Sequence, residues 1–61
     1  MRRWTIMVAM PREEKVKKVR VQAKDWNLIF DDAVIAWYDD QMNVVYSIQR
    51  HLFVEAVASD I

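Results

Sequence analysis

The sequence predicts an all-β fold, a small antiparallel meander of four to five strands. Three observations carry that expectation. Short runs dense in β-branched and aromatic residues recur along the chain, with brief polar turns between them. Residues 33–38 (AVIAWY) and 44–49 (VVYSIQ) flank the polar segment 39–43 (DDQMN), as the arms of a hairpin flank its turn. Residues 18–24 alternate with period two: Lys18, Arg20, Gln22 and Lys24 on one face, Val19, Val21 and Ala23 on the other.

Taken in order, residues 4–10 (WTIMVAM) form the first strand. Both of its faces are largely apolar, which suits a strand covered on both sides. Pro11 ends it, because proline cannot donate to a ladder. After a charged turn, residues 15–23 form the second strand, with Val16 out of phase with Val19; that mismatch predicts a bulge near Lys17 and Lys18. Residues 25–32 (DWNLIFDD) are a connector, either a short strand or an extended loop whose Trp26, Leu28 and Phe30 plug an open end. The hairpin 33–49 follows as the element against which the rest pairs. A rival reading makes 32–42 a helix capped by Asp31 or Asp32, giving an α+β fold. The density of β-branched and aromatic residues on both sides of the turn favours strands. Arg50 and His51 make the next corner, residues 52–58 (LFVEAVA) the last strand, and 59–61 a tail. Strands this short, so connected, predict curling into an SH3-like or similar small barrel.

The totals bound the function. Sixty-one residues hold one domain, 1–61, whose folding buries only about 60% of the unfolded chain's surface. There is no cysteine to brace it or to build a metal site. Yet 54% of the residues are hydrophobic, more than a small core easily hides, so self-association, as a homodimer, is expected. No apolar run approaches the roughly 18 residues of a membrane helix, and Pro11 to Glu14 replace the small residues of a signal cleavage site. A cytoplasmic protein is expected. Glycine is absent, so Asp and Asn must serve the turns; a designed fold with no partner is one reading of that absence.

The formal net charge is zero, but residues 1–24 carry +6 and residues 25–61 carry −6. The simplest expectation is that basic and acidic strands lie side by side and neutralise each other.

Catalysis is not expected. The doublets Asp31-Asp32 and Asp39-Asp40 lie at opposite ends of the strand 33–38, roughly 20 Å apart, and cannot share an ion. Turn chemistry suits both better. His51 stands alone, Ser47 and Ser59 lack an elbow, and a phosphate loop needs glycine. No metal, cofactor or small-molecule substrate is implied.

Binding remains. Aromatic and basic side chains that a small barrel cannot bury favour a non-catalytic protein-binding module, with Trp4, Trp37, Tyr38, Phe53, Lys18 and Arg20 as its surface. The alternative is a nucleic-acid-binding barrel using Arg12, Lys15, Lys18, Arg20, Lys24 and Trp26, basic side chains beside an aromatic for stacking. Against it stands the zero net charge. The succession AVIAWYDD, NVVYSI and LFVEAV resembles small β proteins of bacteria and their phages. That likeness carries no diagnostic motif; it implies an accessory or inhibitor protein that acts by binding a larger one.

Overall fold

The computed structural model describes residues 1–59 and is all-β. Six strands form two antiparallel three-stranded sheets: β1 (Arg2–Met10), β2 (Lys15–Ala23), β3 (Asp25–Ile29), β4 (Val34–Tyr38), β5 (Val44–Gln49) and β6 (Phe53–Ser59). Sheet one has the order β2-β1-β6 and sheet two the order β3-β4-β5. The molecule is 13 Å thick along its shortest axis, the depth of two stacked sheets about 10 Å apart.

The expected meander of strands is present, but it does not close into a barrel. The region 32–42 contains strand β4 and turns, with no helix. The hairpin 33–49 organises only its own sheet, because β4 is hydrogen-bonded to β3 and β5 while β1 is the centre of the other. Residues 25–29 are a strand, the first of the two readings of the connector. Pro11–Glu13 and Arg50–Leu52 form 3₁₀ turns at the corners expected from Pro11 and from Arg50-His51. Of the expected tail 59–61, Ser59 completes β6; residues 60 and 61 lie outside the described part.

Alternation decides what is buried. Trp4, Ile6 and Val8 on β1 face Ile35, Trp37 and Ile48 of sheet two, with Ala23 completing the core. Ile6 is 0% and Trp37 1% exposed. The other β1 face, Thr5, Met7 and Ala9, is only half-buried, so β1 is not covered on both sides. Trp37 is the hub: its ring lies 6.3 Å from Trp4 in an edge-on contact, 6.0 Å from Tyr46 and 6.1 Å from Phe53. Such pairs add about 0.5–1.5 kcal/mol each beyond their burial. The Trp4 indole N–H donates to the Ala23 carbonyl at 3.2 Å, whereas the buried Trp37 Nε1 has no hydrogen-bond partner among the described residues.

The β1–β2 register runs unbroken from Arg2↔Ala23 to Met10↔Lys15, so the bulge expected near Lys17 is absent. The register shifts fall elsewhere, at Met7/Val8 against β6 and at Trp37/Tyr38 against β5. Val16 is out of phase because it lies opposite Ala9 on the outer face, and Lys17 takes the inward row beside Val8. The phase does change at Lys24, where a bend links the sheets and its N–H donates to the Tyr38 carbonyl at 2.8 Å. Before the bend Val19, Val21 and Ala23 point inward; after it Trp26 lies opposite Trp37, and Leu28 packs on the core.

Candidate functional site

Sorting the outer positions by register gives two surfaces of different chemistry. On sheet one, Val16, Lys18, Arg20 and Gln22 of β2 lie beside Ala9, Met7, Thr5 and Arg3 of β1, and Glu55 and Val57 of β6 lie beyond. On sheet two the outer rows are Asp25–Tyr38–Val44, Asn27–Ala36–Ser47 and Ile29–Val34–Gln49. Those nine positions hold a single charge, Asp25, at a corner. Ala36 is 3% exposed yet belongs to no core cluster, since its neighbours on this outer face cover it.

The ends of this face are made by strained turns. Phe30, Asp31 and Asp32 follow β3 with φ of 53°, 56° and 66°, three consecutive left-handed residues, closed by the Ala33 N–H donating to the Phe30 carbonyl at 3.0 Å. A side chain in that region costs roughly 1–2 kcal/mol per residue. Phe30 is nonetheless 76% exposed, so it plugs nothing. At the opposite end Met42, with φ of 65° and 68% exposure, caps the β4–β5 turn. Asp39 ties that turn: its Oδ1 accepts from the Gln41 and Asn43 N–H groups, both at 2.9 Å. The Asn43 amide bond to its carboxylate lowers the Asp39 pKa, and the Gln41 amide adds to the effect. The doublets thus stand in turns at opposite ends of β4.

The charges are segregated rather than neutralised. Arg2, Arg3, Arg12, Lys15, Lys17, Lys18 and Arg20 belong to sheet one and its turn, where the acids are Glu13, Glu14 and Glu55; Asp25, Asp31, Asp32, Asp39 and Asp40 belong to sheet two and its turns. The expectation of oppositely charged neighbours is overturned because β1 and β2, both basic, pair with each other. Glu13 and Lys15 approach to 3.7 Å, a surface contact worth about 0–1 kcal/mol.

Of the residues expected at a protein-binding surface, Trp4 and Trp37 are core side chains and cannot serve as exposed anchors. Phe53 is half-buried, its ring tilted at 41° to that of Trp37. Tyr38 lies on the outer face of sheet two, Lys18 and Arg20 on that of sheet one, so the structure does not bring these three together. Of the nucleic-acid set, Arg12, Lys15, Lys18, Arg20 and Lys24 are exposed. Trp26 is separated from the Lys18–Arg20 ridge: it lines a cavity of about 110 Å³ with Trp4, Ile35, Trp37, Phe53 and Ala56 between the sheets. The residues the sequence did not single out are Ile29, Val34 and Val44. Their signal was present in the outward phase of 34, 36 and 38, none of which is charged.

Comparison with known proteins finds no match to a protein family, to a characterised relative or to a solved structure.

Proposed function

We propose that the chain is a non-catalytic protein-binding module whose recognition surface is the outer face of sheet two. One observation carries the reading: the outer face of an antiparallel sheet normally alternates to charged residues, whereas the nine outer positions of this one hold a single charge, Asp25, and set the half-buried Ile29, Val34 and Tyr38 and the exposed Val44 among the neutral Asn27, Ser47 and Gln49. Interface centres are depleted in charge and enriched in aromatic residues. Three strands of five residues project only about 240 Å², against about 800 Å² per partner for a standard interface. Contact must therefore extend onto the turns, where Phe30 and Met42 are exposed. A larger protein that reaches around both turns suits that geometry better than a second flat sheet does.

The test is a photo-crosslinking amino acid at position 38, with position 18 as control, followed by mass analysis of the adducts. The reading expects one adduct of defined mass at 38 that a Val44→Asp variant abolishes while its thermal unfolding is unchanged. Absence of any adduct at 38 overturns it.

A second reading has its own observation. The basic ridge of Lys18 and Arg20, with Arg3 in the adjacent strand, lies on the outer face of sheet one, whereas Asp31, Asp32, Asp39 and Asp40 lie in turns of sheet two. It predicts binding to single-stranded nucleic acid whose log K falls linearly with log salt. A salt-independent response removes it.

A further inference from the structure

We propose that the groove at the 3₁₀-turn end of the sandwich binds an amphipathic anion, an apolar chain carrying a carboxylate or sulfate head. This site is distinct from the outer face of sheet two and does not depend on the reading given for it. The groove holds about 610 Å³, within the roughly 300–1,000 Å³ typical of small-molecule sites. Its apolar wall comes from both sheets: Val8, Met10, Pro11, Leu52 and the half-buried Tyr46.

Two observations set the charge of the ligand. The register places Lys17 opposite Val8, in the inward row of β2 where Val19 and Val21 pack on the core. Lys17 lies at the open end of that row and is exposed, so its ammonium stands in water at the groove mouth, beside the apolar wall. Arg12 lines the same groove from the 3₁₀ turn. Among the described residues neither Arg12 nor Lys17 has an ion-pair partner, and Glu13, the one acid in the lining, is engaged by Lys15 at 3.7 Å. Two cations at the rim of an apolar groove are complementary to one anionic head on an apolar tail.

The experiment is a ¹⁵N–¹H titration of the full chain with decanoate, decyl sulfate and decyltrimethylammonium, each below its micelle concentration. Saturable shifts are expected for both anions, confined to residues 8–17, 46 and 52. The ammonium should bind about tenfold or more weakly, the ratio that a charged hydrogen bond supplies. Lys17→Glu and, on the exposed turn, Arg12→Glu should each weaken decanoate about tenfold while the rest of the amide spectrum is preserved. Should Lys17→Glu disturb the fold, Arg12→Glu decides alone. Equal binding of anion and cation, shifts elsewhere on the molecule, no saturation, or unchanged affinity in Arg12→Glu overturns the proposal.

Discussion

Left-handed backbone without glycine is the costliest residue-level feature of this chain. Glu14, Phe30, Asp31, Asp32 and Met42 all adopt positive φ. At Met42, exposed and outside the core, a Met42→Gly substitution should stabilise the domain by about 1 kcal/mol, the left-handed penalty less glycine's added entropy in the unfolded chain. Chemical denaturation read by tryptophan fluorescence checks it. Asp39 makes the opposite kind of contribution. Its pKa is lowered in the folded state, so its stabilisation is present above the ordinary carboxylate pKa and disappears as pH falls through the lowered value. Asp39→Asn should therefore melt below the wild type at pH 7, with the gap closing in titrations below about pH 4. Turn use of Asp39 was readable from the sequence, since an Asp side chain accepts from backbone N–H groups further along its turn, but the positive φ expected of Asp or Asn in that turn falls on Met42. Nothing in the sequence marks Phe30 for a left-handed position, because a bulky aromatic is the residue type least suited to it.

At the scale of elements, strand existence followed from β-branched and aromatic density, and the boundaries held to within a few residues for β1, β2, β4, β5 and β6. What could not be read was which strands share a sheet. Alternation gives two faces for every strand but does not say which is covered, and the phase change at the Lys24 bend breaks the pattern where the chain passes between sheets. Lys17 shows the same limit: its neighbour Val16 looked like the inward residue, yet the continuous register with β1 sends Lys17 inward. Between the sheets the cavity lined by Ala56 is a packing defect at an identifiable strand position. Ala56→Val should fill part of it, adding about 1 kcal/mol and raising the melting temperature by roughly 4–8 °C for a domain of this size. A lowered melting temperature would mean the walls of the cavity cannot accept two methyl groups.

At the scale of the whole molecule, the aromatic cluster around Trp37 bridges both sheets. Trp37→Ala should cost about 3–5 kcal/mol, comparable to the entire stability of a small domain, and abolish the cooperative unfolding transition in calorimetry. The sequence led us to expect the exposed apolar share among Trp4, Trp37, Tyr38 and Phe53, whereas the fold buries Trp4 and Trp37 and exposes Phe30, Met42, Val44 and Val57 instead. Trp4 of sheet one and Trp37 of sheet two meet edge-on across the gap, their rings 6.3 Å apart. Charge segregation has its own signature. With like charges gathered in each sheet, screening removes more repulsion than attraction, so raising salt from about 0.01 M to 0.5 M should lift the melting temperature. A fall would show that attraction between the sheets dominates.

The place of β1 bears on how the chain is made. This first strand lies between the second and the last, with Thr5 opposite Val57 and Ile6 opposite Ala56. A ribosome adding roughly 5–20 residues per second leaves some 3–10 s between the emergence of β1 and that of β6. Throughout that interval β1 has one open side, and Trp4, Ile6 and Val8 lack part of their cover. Nascent chains arrested before residue 53 should be protease-sensitive and bind chaperones, whereas chains released after Ser59 should do neither. For this protein, pairing of β6 with β1 is the step that closes the open side of the first sheet.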